Sequence, residues 1–216
     1  LDQVVPGLFG ERCPTIGEAP RNELMPVAGA IVQLGKPRDY PLYGWDNEYG
    51  EHEEEVHDFA AAKYLTSNRE SLEFVEDGGY QTKSYWTEEG WNWRTYTNAE
   101  MPLFWRKVEG GYRLRLVAEE IGMPWSWPVE VNYLEAKAFC NWKSAKTGKN
   151  FRLPTEAEWY RLHKVARLDE VTEWDKAPGN INLEYWASPC PVNLFEQGGF
   201  FDVIGNVWQW TETPIT

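Results

Sequence analysis

Thirteen tryptophans in 216 residues are the strongest constraint on what this chain can fold into. Many stand beside Gly, Asn or Pro, as in Gly90-Trp91-Asn92-Trp93 and Pro124-Trp125-Ser126-Trp127-Pro128. That setting suits an irregular, loop-rich body in which indoles bridge layers that few regular elements reach. Each buried indole N–H then needs an acceptor. With 42% hydrophobic and 15% aromatic residues, a packed globular core is within reach, for one large domain or two small ones. A body of this kind tends to build pockets.

Charge and segment composition exclude several roles. The net charge is −13 and no Lys/Arg cluster tracks a phosphate backbone, so nucleic acid is not the expected partner. No apolar run approaches the roughly 18 residues of a membrane span, and Leu1-Asp2-Gln3-Val4-Val5-Pro6 lacks a basic stretch leading into an apolar one. A cytoplasmic address and no membrane partner are expected. Cys13, Cys140 and Cys190 are odd in number and widely scattered, which argues against a disulfide framework and a thiolate zinc site. Cys140, in an apolar helical stretch, reads as core. The chain opens on Leu and stops soon after a tryptophan-rich segment, so it reads as a piece of something longer.

Residues 1–22, punctuated by Pro and Gly, read as a linker or wrapping arm outside the core, and 23–216 as the domain. Met25 to Leu34 predicts a strand pair or a bent strand, and Glu53 to Phe59 the next strand. Ser67 with Glu70, Asn132 with Glu135, and Thr155 with Glu158 each have capping-box spacing, in which a short side chain accepts from the backbone three residues on and a Glu reaches back. They predict helices ending near Gly78-Gly79, Gly148 and Ala166. Residues 80–106 hold eight aromatic side chains at no regular period and are expected to be an aromatic loop region. Two to three helices among short strands and long loops make an α+β domain.

The candidate chemistry is sparse. His52 and His57 lie five residues apart, which turns them away from each other on a helix and onto opposite faces of a strand, so this pair alone is not expected to ligate a metal. His163 sits on the third predicted helix. No nucleophile elbow and no phosphate-binding glycine loop is present. Tyr43-Gly44-Trp45-Asp46-Asn47-Glu48-Tyr49-Gly50 packs carboxylates, an amide and aromatic rings between two glycines. It can present an aromatic-walled polar rim to an amino-acid-like ligand, or it can be a hydrogen-bonded structural turn.

Two segments carry a family likeness. Phe151-Arg152-Leu153-Pro154-Thr155-Glu156-Ala157-Glu158-Trp159 and, about fifty residues on, Phe201-Asp202-Val203-Ile204-Gly205-Asn206-Val207-Trp208-Gln209-Trp210-Thr211-Glu212 resemble the formylglycine-generating-enzyme/sulfatase-modifying-factor domains, a C-type-lectin-like architecture. Together with Gly44 to Gly50, Tyr85 to Arg94 and Met123 to Tyr133, they resemble the 5-histidylcysteine sulfoxide synthase branch, across residues 24–212. The resemblance implies a non-haem iron(II), O2-dependent enzyme that joins cysteine sulfur to a histidine imidazole carbon in ovothiol biosynthesis. It implies that an N-terminal helical domain supplies three iron-binding histidines while this domain helps hold histidine and cysteine, with Trp45, Asp46, Asn47 and Glu48 as substrate-binding residues.

The sequence also departs from that pattern. The family's His-xxx-His-x-Glu motif occurs nowhere in the chain, so the iron ligands are expected outside it and the chain alone is expected to be inactive. The domain is expected to be C-terminally incomplete, with an exposed sheet edge and a catalytic tyrosine lying beyond it. Gln209 stands where related domains carry a calcium-binding glutamate, and a neutral amide weakens a hard-cation site. Trp208 and Trp210, alternating with Val207 and Gln209, are expected on one strand face with at least one indole buried. Two other readings stay open: an ergothioneine- or selenoneine-type synthase domain acting on trimethylhistidine, and a non-catalytic lectin-like ligand-binding module.

Overall fold

A computed structural model describes residues 10–15, 17–168, 178–182 and 185–214. The first feature it builds is a long bent ribbon. β1 (Leu24–Val27) pairs antiparallel with β4 (Phe59–Ala62), and β2 (Ala30–Leu34) with β3 (His52–Val56), so the strand pair read at 25–34 is a chain that bends and returns along itself. The bend needs Gly29. Its amide donates to Asp58 Oδ1 at 2.7 Å, and a β-carbon there would stand 2.3 Å from the Val56 carbonyl oxygen.

Helices α1 (Asn68–Glu76), α3 (Tyr133–Thr147) and α4 (Glu156–Val165) each start on the predicted capping box, with both reciprocal bonds made. Between them, β5 (Trp105–Val108), β6 (Gly111–Arg115) and β7 (Glu120–Gly122) form a small antiparallel meander. A two-residue ladder of β8 (Glu196–Gln197) and β9 (Phe200–Phe201) closes the described chain. The order is α+β with short strands and long loops, as expected. Among the described residues, no helix is long and apolar enough to cross a membrane.

The expectation of a structureless aromatic region at 80–106 is corrected by α2 (Glu88–Thr97), with a 3₁₀ turn at Lys83–Tyr85 before it. Thr87 caps α2 through Gly90 N, but with Gly at the third position there is no Glu to complete a box. Packing holds it instead: Trp93 stacks on Trp86 with ring centroids 6.1 Å apart, beside Phe74, Tyr80 and Trp142 of the α1–α3 core.

Five of the thirteen tryptophans show the acceptors that their indoles need. The indole of Trp105 donates to Asn68 Oδ1, Trp86 to the Gly79 carbonyl, Trp142 to Asp77, Trp159 to the Val203 carbonyl and Trp210 to the Val131 carbonyl. Trp127 is fully buried in the main core with its N–H unpartnered. Cys13 is buried in that same core, and Arg12 pairs with Glu119 at 2.7 Å, so the arm that was expected to add nothing to the core contributes to it.

Side-chain amides brace the irregular segments near the described C-terminus. Asn180 donates to the Ser188 carbonyl and accepts from Trp186 N. Gln197 clamps Ile204 and Pro178, and Asn206 bonds both backbone groups of Cys190. Gln209 donates to the carbonyls of Asp202 and Val203. Asp202, Gly205 and Asn206 adopt left-handed backbone angles, which breaks any strand through this stretch. The expected burial of a Trp208/Trp210 strand face is therefore overturned: Trp208 is fully exposed and Trp210 is 48% exposed.

Candidate functional site

The main cavity, about 1130 Å³, lies between the β1–β4 ribbon, α3, the start of α4 and the 200–210 segment. Each wall is set by a local rule. β4 contributes Phe59 and then Ala60, Ala61 and Ala62, whose small side chains leave room. α3 contributes Glu135, Phe139, Cys140 and Lys143 on one face at helical spacing. The capping box of α4 places Glu158 at the cavity edge, and the broken backbone at 202–206 turns Gln209 inward while Trp208 faces out.

The charged groups are mostly paired. Arg152 forks onto Glu158 with bonds of 2.6 and 2.7 Å, and this holds the Glu158 carboxyl below its ordinary range. Lys143 meets Glu70 at 2.7 Å. Glu135 accepts from Tyr80 Oη at 2.6 Å and from Asn132 N at 2.9 Å, yet its burial still raises its pKa. Burial likewise pushes the Cys140 thiol up to about 11, so it is a thiol rather than a ready nucleophile. Asp202 differs from the rest. Its side chain is fully buried, Oδ2 accepts from Asn206, Oδ1 has no partner, and burial pushes its pKa up to about 7.

Trp45, Asp46, Asn47 and Glu48 are not in this cavity. They form a 3₁₀ turn on a separate loop, where Glu48 accepts from Trp45 N at 2.7 Å and from Lys36 Nζ at 3.0 Å. Asp46 accepts from Asn47 N, and the exposed rings of Tyr43 and Trp45 meet edge to face. The segment is a hydrogen-bonded turn that carries aromatic rings outward. Sequence reasoning singled out none of Lys143, Arg152 or Asp202. Among the cavity's polar groups Glu135 and Glu158 carried a readable signal, which was for capping, and Gln209 was singled out by resemblance alone.

Among the described residues, no group of three or more His, Cys, Asp or Glu side chains is placed to hold a metal ion. His52 opens the exposed β3, His57 follows it beside Glu55, and His163 tilts over Trp159 on α4. These residues do not fit a three-histidine iron centre.

The chain matches the sulfatase-modifying factor enzyme 1-like domain over residues 14–216. It is 30% identical over 191 residues to a hercynine oxygenase of Mycobacterium tuberculosis, covering 79% of this chain and 41% of that protein, so it spans about two-fifths of that relative's length. It is 25% identical over 238 residues to a formylglycine-generating enzyme of the same organism, covering 89% of this chain and 74% of that one. Among solved structures, PvdO from Pseudomonas aeruginosa superposes with a TM-score of 0.54 at 20% identity, over 96% of this chain and 75% of that one. At that identity the likeness shows the fold.

Proposed function

The chain belongs to the sulfatase-modifying factor enzyme 1-like domain family, and from that premise we propose that it is the substrate-holding domain of an iron(II)- and O2-dependent sulfoxide synthase that joins cysteine to histidine. Histidine, cysteine and O2 give the sulfoxide and water. The observation that carries the reading is the likeness to a hercynine oxygenase across most of this chain. The cavity suits the substrates: it is large enough for amino acids, and the ion pairs of Lys143 with Glu70 and Arg152 with Glu158 stand at its wall beside the carboxyl groups of Glu135 and Asp202. Iron, when bound, supplies the oxygen chemistry, its ligands standing on a helical domain outside residues 1–216. The turn at Trp45, Asp46, Asn47 and Glu48 faces that domain, where a carboxylate holds a substrate amino group.

The relative's name favours a second reading, with hercynine rather than histidine as acceptor. Incubating the whole protein with iron(II), O2, cysteine and either acceptor separates the two by product mass. A histidine adduct is expected. An adduct with trimethylhistidine alone moves the assignment to the second reading, and no adduct with either from iron-loaded protein leaves a non-catalytic ligand-binding module. In the same assay Asp46→Ala or Glu48→Ala raises the KM for substrate while the melting temperature stays within a few degrees. Wild-type kinetics in both variants would remove the turn from the site.

A further inference from the structure

The N-terminal arm and the segment before β8 run side by side. Ala187 N donates to the Glu11 carbonyl at 2.9 Å, and Cys13 N donates to Ser188 Oγ at 3.0 Å. Two residues beyond Ser188 stands Cys190, and its side chain and that of Cys13 are both buried in the one core cluster around Trp127. Both are free thiols, 177 positions apart in sequence and brought together by the fold. Cys140 lies elsewhere, in the wall of the main cavity.

We propose that Cys13 and Cys190 are a redox-modifiable pair whose disulfide staples the N-terminal arm to the segment preceding β8. The co-reactant is a small-molecule disulfide of the glutathione type. One cysteine, as thiolate, attacks a sulfur of that disulfide, forming a mixed disulfide and releasing one small thiol. The second cysteine loses its proton, attacks the protein sulfur of the mixed disulfide and expels the second small thiol. The protein loses two protons and two electrons, and the co-reactant gains both as two thiols.

Burial sets how this pair behaves. It pushes the Cys13 thiol up to about 11 and the Cys190 thiol higher still, with Asp202 and then Cys13 adding to the rise at Cys190. A docked arm therefore keeps both sulfurs protonated and shielded, and the first step waits on the arm lifting away. Redocking then sets the second sulfur against the mixed disulfide. Closure is slow to begin and fast to finish, so the singly modified protein does not accumulate.

The test incubates the reduced 216-residue chain with oxidised glutathione, in water and in urea below the unfolding transition. Remaining thiols are then alkylated under denaturing conditions and the digest is read by mass spectrometry. The expected product is one cross-linked peptide pair containing Cys13 and Cys190, with Cys140 alkylated, and it forms faster in the mild urea. The oxidised chain unfolds at higher urea than the reduced one. Cys13→Ser abolishes the cross-link, and Cys190→Ala provides the same control should the first variant fail to fold. Stable glutathione adducts at Cys13 or Cys190 without a cross-link, a cross-link through Cys140, or three thiols still free in both conditions would each overturn the proposal.

Discussion

Replacing Asp202 by Asn separates a buried carboxyl's charge from its shape. In the unfolded chain this group ionises near 3.8, and in the fold near 7. The folded pKa is the raised one, so the fold holds a proton that the unfolded chain has released. Stability is then intact below pH 4, falls as pH rises from about 4 to about 7, and is flat above. At about 1.4 kcal/mol for each tenfold change in proton affinity, the whole fall is about 4 kcal/mol at most. Asn removes that slope. It also suits the left-handed backbone at this position, where φ is 50°, and its carbonyl can still accept from Asn206. Its amide N–H₂ takes the place of the unpartnered Oδ1 and costs about 1–3 kcal/mol as a buried donor. The variant is therefore less stable than wild type at pH 4 and equal or more stable at pH 8, and the difference between them swings by up to about 4 kcal/mol. Urea unfolding followed by tryptophan fluorescence at pH 4, 6 and 8 measures it. A difference that does not change with pH refutes the reasoning, because Asp202 would then ionise alike in both states.

Tyr80→Phe leaves a buried oxygen of Glu135 without its donor and lowers stability by about 1–3 kcal/mol in urea unfolding. Trp127→Ala empties the centre of the main core and costs about 3–5 kcal/mol, whereas Trp208→Ala at a fully exposed position stays within about 0.5 kcal/mol, both read from the same denaturation curves. Gly79→Ala sets a β-carbon 2.1 Å from the Phe74 ring and lowers the thermal midpoint, with about 1–3 kcal/mol lost to overpacking. Gly122→Ala meets open space and serves as its control.

The helices that the sequence announced were those with a complete local signal. Ser67 and Glu70, Asn132 and Glu135, and Thr155 and Glu158 specify their own N-termini with bonds that span three residues, so no tertiary information was needed. α2 was invisible for the opposite reason: Gly90 sits where a capping Glu would be, Trp91, Trp93 and Tyr96 are indifferent helix formers, and Trp91 and Trp93 hold the helix by packing against the α1–α3 core. Alternation misled at Trp208 and Trp210, because period-2 reasoning presumes extended backbone. Left-handed residues at 202, 205 and 206 broke the strand before it reached them. The cavity was illegible because only Glu135 and Lys143 share an element, while Arg152 and Asp202 come from separate segments further along the chain. They meet only when α3, α4 and the last described loops converge.

The amide braces have a consequence on the timescale of storage. Asn180, Gln197, Asn206 and Gln209 each use an N–H₂ group to hold a carbonyl, so these loops rest on donors that do not titrate. Hydrolysis of one such amide leaves a carboxylate that can only accept. At Asn206 the new acid would face the Cys190 carbonyl and the carboxyl of Asp202, two acceptors where a donor stood. Ageing at this single side chain would turn a brace into a repulsion and release the segment from Cys190 to Gln209, so the shelf life of the cavity is set by the chemistry of a few amides.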